Sequence, residues 1–359
     1  MSGPERLYLD HAATTPVLPE ARTAMAAELE AWANPSSPHA DGRRARAALE
    51  EARKTVADAL GWRHDVIFAG ATEAIQIVAE RAKADCRIVG PTEHDAVIAA
   101  MGSDATLLPV DSDGLIDLPA LQASLADEPA LVAVQYVNNE TGVIQPIADI
   151  YEIVREAGSL LLADCAQAAG KIPLPDADFI AVSAHKFGGP PGIGALLVKD
   201  LATLTPSGGQ ERGYRRGTEN LPAAAGMAAA LASKRFLDAM PRLTALRRHL
   251  DQEIKASGGV VIAEGAPRIA TIGAYAMPGV ASASQLVQLD LAGISVSAGS
   301  ACSSGSMKPS RVLGAMQVLD EVAASVIRVS FGPGTSEGDI ARFLDAWRGI
   351  AERAKARAA

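Results

Sequence analysis

Ser183-Ala-His-Lys-Phe-Gly-Gly-Pro-Pro-Gly-Ile-Gly, together with Leu161-Leu-Ala-Asp-Cys-Ala-Gln upstream of it, decides how the chain is read. Asp164 ends one apolar run; a Ser/His turn and Lys186 end the next, and a glycine-rich loop follows. A lysine held in a desolvated or cationic setting loses its proton readily and can form an imine with an aldehyde. An acid can keep a proton on a pyridine nitrogen, so that the ring remains an electron sink. Ser183, His185 and nearby backbone N–H groups are suited to a phosphate. Together these parts suit a pyridoxal 5'-phosphate (PLP) site. Alone, the same letters would also suit a plain strand-to-loop junction, so the rest of the chain has to decide.

Working outward, short all-apolar runs alternate with helical patterns. Asp65-Val-Ile-Phe, Arg87-Ile-Val-Gly, Ala130-Leu-Val-Ala-Val-Gln, Leu160-Leu-Leu-Ala-Asp, Phe179-Ile-Ala-Val-Ser and Ala195-Leu-Leu-Val read as strands covered on both faces, as in a mainly parallel α/β sheet. Helices are expected over 20–32, 42–60, 73–84, 118–126 and 147–157. The one that starts just after Gly70-Ala71-Thr72 could offer its first N–H groups to a phosphate. A single long Ala-, Leu- and Arg-rich helix over 222–257 is expected to lead into a second domain, with strands near Val260, Thr271 and Ile327.

At 359 residues the chain can bury two cores. With 48% hydrophobic and 21% charged residues, it has a globular composition and no run long enough to cross a bilayer. The first residues, Met-Ser-Gly-Pro-Glu-Arg, lack the pattern of a secretion signal, which leads us to expect a cytoplasmic protein. A net charge of −9 argues against nucleic-acid or anionic-membrane partners. The three cysteines are too few and scattered for a disulfide framework or a zinc site. Cys86 and Cys165 sit in apolar contexts and read as packed thiols, whereas Cys302 lies in a Ser/Gly/Ala-rich loop that favours exposure.

Read end to end, the chain resembles the NifS/IscS-type cysteine desulfurases of the class V branch of fold-type I PLP enzymes. The resemblance runs in order through Tyr8-Leu-Asp-His-Ala-Ala-Thr-Thr-Pro, Asn34-Pro-Ser-Ser-Pro-His, Gly70-Ala-Thr-Glu, Glu93-His-Asp-Ala-Val and Asn138-Asn-Glu-Thr-Gly-Val-Ile-Gln. It continues through Asp164-Cys-Ala-Gln, Ser183-Ala-His-Lys, Gly208-Gly-Gln-Glu-Arg-Gly-Tyr-Arg-Arg-Gly-Thr-Glu-Asn and Ser297-Ala-Gly-Ser-Ala-Cys-Ser-Ser-Gly to Arg328. The family implies a large PLP-binding α/β domain over 13–236. A smaller α+β domain would comprise 1–12 and 237–359 and carry the Cys302 loop. It further implies that Lys186 carries the cofactor imine, Asp164 pairs with the pyridinium and Gln167 bonds the phenolic oxygen. Ala71, Thr72, Ser183 and His185 would hold the phosphate, with Thr218 reaching it from the other subunit of a homodimer. His94 would stack on the ring and handle protons, Asn139 and Arg328 would hold the substrate carboxylate, and Cys302 would take the sulfur.

The activity so implied converts L-cysteine to L-alanine, leaves a persulfide on Cys302, and supplies sulfur to an acceptor protein such as an iron–sulfur scaffold or a sulfur carrier. The Ser/Gly-rich Cys302 loop resembles that of the longer-loop subgroup. The chain departs from the family in Ala74-Ile-Gln, where an asparagine is common, and in Cys165, where alanine is usual; it also stops short of the family's C-terminal extension. The competing readings are a class V aminotransferase or selenocysteine lyase, and a non-catalytic scaffold on the same fold. An aminotransferase has no use for Cys302, and a scaffold has none for Lys186.

Overall fold

The apolar runs fall where the alternation of side chains on a strand puts them. The computed structural model describes residues 6–125, 128–298 and 310–358. Its strands are β1 (Leu7–Tyr8), β2 (Asp65–Phe68), β3 (Cys86–Val89), β4 (Thr106–Leu107), β5 (Ala130–Gln135), β6 (Leu160–Asp164), β7 (Phe179–Ser183), β8 (Gly194–Val198), β9 (Val260–Val261), β10 (Ile272–Ala276), β11 (Ile294–Ser295) and β12 (Val326–Ser330). Seven form one sheet in the order β2-β8-β7-β6-β5-β3-β4. The run from β7 to β4 is parallel, and β8 is antiparallel to both of its neighbours. This is the mainly parallel α/β sheet that the sequence predicts.

Successive residues of the central strands enter opposite cores. Val132, Val134, Leu161, Ala163, Ile180 and Val182 belong to one buried cluster, while Leu131, Ala133, Leu162, Phe179 and Ala181 belong to another. That division is the two-residue period of a strand buried on both sides. The helices Ala71–Arg81 and Asp95–Met101 cover the second face; Ala40–Leu60, Ile147–Glu156 and Leu221–Ala232 cover the first. Pro19–Glu30 lies on Leu221–Ala232 through a close approach at Gly226, where a Cβ would stand 2.6 Å from Met25 Cγ.

The single helix expected over 222–257 is two helices, Leu221–Ala232 and Arg235–Ala256. Between them the Ser233 hydroxyl donates back to the Ala230 carbonyl at 2.6 Å, and Lys234 turns left-handed at φ 53. The break has a packing reason. The first helix sits in the core under the large sheet, whereas Leu243, Leu246, Leu250 and Ile254 of the second belong to a separate core around β12-β10-β9 and the helix Glu337–Ala358. The N-terminal segment joins this second core, with β1 parallel to β11 and Asp10 bridged to Ser330.

The 208–220 connection also departs from ordinary backbone. Glu211 and Arg212 both have positive φ, 49 and 57, a conformation that costs a non-glycine residue about 1–3 kcal/mol unless its surroundings enforce it. Here they do. The buried Glu211 carboxylate accepts two bonds from Arg53, at 2.6 and 3.1 Å, and one from the Phe68 N–H at 2.9 Å. The 208–220 loop is thereby fixed to the end of β2. Glu211→Ala leaves Arg53 and the Phe68 N–H without their acceptor, so denaturant unfolding is expected to show a loss of about 3 kcal/mol.

Candidate active site

Six strands of the large sheet, all but β8, run in the same direction, and the chain leaves β2, β3, β5, β6 and β7 at one edge. Ligands of open α/β sheets bind beyond the carboxyl ends of their strands. Here those ends deliver Gly70–Thr72, His94, Asn139, Asp164 and Ser183–Lys186 to a common crevice.

Lys186 ends a tight turn, Ala184–Lys186, and its Nζ donates to the carbonyls of Ala12 at 2.7 Å and Ala13 at 2.9 Å. Burial, reinforced by the nearby Arg328 charge, pushes its amine down to about 8. Asp164 accepts a bond from the Ala166 N–H at 2.9 Å through Oδ1; its Oδ2 has no partner among the described residues. Burial pushes this carboxyl up, opposed by that bond and by His94 and Lys186. Behind it lies Glu93, buried, with one oxygen on the Gln135 N–H at 2.6 Å and the other without a partner among the described residues. Burial, reinforced by the Asp164 charge, pushes the Glu93 carboxyl well up, opposed by the Gln135 N–H and by Arg311.

Gln167 is buried and donates through Nε2 to the Ala12 carbonyl at 2.9 Å, the same oxygen that receives Lys186. His185 meets the Thr14 hydroxyl at 3.2 Å and is pushed down to about 4 by burial and the Lys186 and Lys171 charges, so it is neutral at physiological pH. Ser183 is buried, and its hydroxyl has no partner among the described residues. At the start of the helix Ala71–Arg81, Glu73 folds back onto the Gly70 N–H at 3.3 Å and pairs with Arg215 at 2.9 Å. The N–H groups of Ala71 and Thr72 have no hydrogen-bond partner among the described residues. His94 caps the helix Asp95–Met101 by accepting from the Ala96 N–H at Nδ1, 3.2 Å, which assigns the proton of the neutral ring to Nε2.

Of the Asn138-Asn139 pair, Asn138 is the turn former. Its Oδ1 accepts from the N–H groups of Glu140 and Thr141 at 2.8 Å, and its Nδ2 donates to Thr92. Asn139 gives its carbonyl to Arg328 at 3.0 Å, and its side chain makes no hydrogen bond among the described residues. Arg328 is buried, unlike a solvated strand arginine; it also pairs with Asp10 at 2.8 Å and keeps a buried, unpartnered Nε.

Two expected site residues stand apart. Thr218 is exposed in the 208–220 loop and makes no hydrogen bond to the others, while Cys302 lies outside the described residues. The remaining thiols are poor nucleophiles. Burial, reinforced by Asp164, pushes Cys165 far up, and Cys86 is raised by burial and by Glu128.

The sequence reading missed the segment that closes the site. Asp10, the Ala12 and Ala13 carbonyls and Thr14 engage Arg328, Lys186 and His185; Tyr8-Leu-Asp-His-Ala-Ala-Thr-Thr-Pro was noticed, but carbonyls leave no letter to read. Arg311 was missed as well. It grips the loop of His94 through the carbonyls of Pro91 and Glu93 and through Asp95, the last at 2.9 Å.

Comparison with known proteins bears on this arrangement. A model of the class-V aminotransferase family matches residues 7–343. The IscS-like cysteine desulfurase of Mycobacterium tuberculosis is 38% identical over 97% of this chain and 97% of its own length. The solved NifS-like protein of Rickettsia africae superposes with a TM-score of 0.88 at 29% identity, covering 97% of this chain and 100% of that one. A structure of SspA in complex with cysteine superposes at 0.78 with 27% identity, covering 92% of this chain and 100% of that one. With a lysine, an acid and a helix start gathered at one sheet edge and a match along nearly its whole length, the chain belongs to the class-V aminotransferase family and, within it, to the NifS/IscS-type cysteine desulfurases.

Proposed function

We propose that the chain takes pyridoxal 5'-phosphate in this crevice, converts L-cysteine to L-alanine, and leaves the sulfur on Cys302 as a persulfide. The observation that carries the reading is the Lys186 amine, pushed down to about 8 and held by two backbone carbonyls rather than by a carboxylate. An amine in that state is ready to join an aldehyde. The polar groups around it fit the rest of the cofactor. Asp164 Oδ2 and the Ser183 hydroxyl lack partners among the described residues, as do the N–H groups of Ala71 and Thr72, which head a helix.

In this reading Asp164 holds the proton of the ring nitrogen, Gln167 donates to the phenolic oxygen, and Ala71, Thr72, Ser183 and His185 hold the phosphate. Bound there, the cofactor supplies the electron sink that lets the substrate's Cα proton leave and its Cβ–S bond break. Lys186, once its amine is free, would take the Cα proton. Arg328 exchanges Asp10 for the substrate carboxylate, beside Asn139. The Cys302 thiolate attacks the substrate sulfur. A sulfur–sulfur bond forms, the Cβ–S electron pair stays with carbon, and a proton delivered to Cβ and one returned to Cα by Lys186 complete alanine; His94 is placed to move protons. That SspA has been solved with cysteine bound supports cysteine as the substrate class.

The same reading includes a homodimer in which Thr218 completes the neighbouring phosphate site, and a protein acceptor for the sulfur, either an iron–sulfur scaffold or a sulfur carrier. A net charge of −9 is unsuited to nucleic acid. No described helix is long and apolar enough to cross a membrane, and a cytoplasmic location fits the free thiols. The division into 13–236 and 1–12 with 237–359 is supported by the separate core around Leu243, Leu250 and Trp347.

Lys186→Ala is expected to remove the yellow absorbance of the PLP-loaded protein and to lower alanine release about 10⁴-fold, with the fold intact by circular dichroism. Undiminished colour would overturn the cofactor assignment. Cys302→Ala is expected to keep the colour and the spectral response to cysteine while alanine and persulfide formation collapse; an effect of that size from Cys86→Ala or Cys165→Ala instead would mean another thiol takes the sulfur. Subunit mixing tests the shared site. Lys186→Ala and Thr218→Asp homodimers should both be inactive, and random exchange between them should restore about a quarter of wild-type sites. No recovery despite demonstrated exchange would mean that Thr218 serves its own subunit.

A further inference from the structure

One buried charge has no part in the chemistry above. Lys171 follows the turn after β6 and is 2% exposed. Among the described residues it has no carboxylate within ion-pair reach; its Nζ stands 3.4 Å from Gln167 Oε1 and 5.2 Å from the centre of the Phe236 ring. The titratable groups facing it are cationic when charged: Lys186 and His185 from the turn after β7, and His11 from the N-terminal segment. A buried amine among such neighbours destabilises a fold, and an apolar side chain of its size would serve packing better.

The hydrogen bonds show what the amine does. Lys171 Nζ donates to Gln167 Oε1 and Gln167 Nε2 to the Ala12 carbonyl at 2.9 Å; whenever Lys171 is protonated it can only donate, which fixes the amide that way round. That carbonyl also receives Lys186 Nζ at 2.7 Å. We propose that Lys171 is a positioning residue for the cofactor site, tying the Gln167 amide from the buried side so that its N–H stays next to the Lys186 amine. This rests on the PLP reading above and adds to it a residue that touches neither substrate nor cofactor. The amide is gripped at both ends, and Lys171 sacrifices stability to hold one of them.

The test uses Lys171→Met, which keeps shape and removes the donor. Its effects are expected to have opposite signs. Cofactor-free Lys171→Met should melt higher than wild type, because an unpaired buried amine is gone. Burial and the Lys186 charge hold Lys171 down to about 7 from its ordinary value of 10.5, so it destabilises the wild-type fold fully below pH 7 and progressively less as pH rises toward 10.5. The advantage of the variant should therefore shrink over that window. Its affinity for PLP, followed by colour on titrating the cofactor-free protein, should fall about tenfold, the worth of one buried hydrogen bond. In a Gln167→Ala background the same substitution should lower affinity no further. Lys171→Gln, which keeps an N–H donor without the charge, should bind within about twofold of wild type. A lower melting point or failure of Lys171→Met to fold, unchanged PLP affinity, or a loss of affinity that persists without Gln167 would each overturn the proposal. Wild-type protein that takes up no PLP would instead count against the cofactor reading, and the melting comparison would still show whether Lys171 destabilises the fold.

Discussion

Both faces of the large sheet are sealed by helices, and that constraint organises everything else. A strand packed on two sides can offer polar side chains to a ligand only where its hydrogen-bonded run stops. Asp164 is the last residue of β6, Ser183 the last of β7, and His94 and Asn139 follow within a few residues of β3 and β5. The site is therefore assembled from strand ends, each fixed by apolar residues that alternate between two cores.

The electrostatics follow from the same sealing. Burial shifts the crevice's charged groups, and those groups also act on one another. Burial lowers Lys186 with help from Arg328, raises Asp164 against the pull of His94 and Lys186, and raises Glu93. Arg328 takes Asp10 as a counter-ion. In the proposed reaction a substrate carboxylate would meet a guanidinium already desolvated in β12 and would take the place of Asp10.

The parts of this design that depend on side-chain type were legible in the sequence. All six apolar runs became strands because their length and composition admit little else, and Asp164, Lys186 and Arg328 were identifiable because acid, amine and guanidinium have distinct chemistry. What escaped was of two kinds. Carbonyl partners such as Ala12 and Ala13 depend on backbone position, which residue identity does not encode. The break at Lys234 escaped because both halves have good helical patterns, and only the existence of two cores makes the chain turn there. Lys171 escaped because an isolated lysine reads as solvated, and its burial becomes visible only with Phe236 and Gln167 around it.

The N-terminal segment sets an order of events during synthesis. Tyr8, Asp10, Ala12 and Thr14 are made long before their partners, since β1 pairs with β11 and Asp10 waits for Arg328, 318 residues downstream. The large sheet can close while the chain is still growing, since its strands end at β8. Lys186 can then already meet the Ala12 and Ala13 carbonyls, but the buried Arg328 and its pair with Asp10 are absent until β12 is made. A chain cut before β12 would fold much of its bulk and still lack Arg328 at the site, so assembly of the crevice is tied to the arrival of the second core.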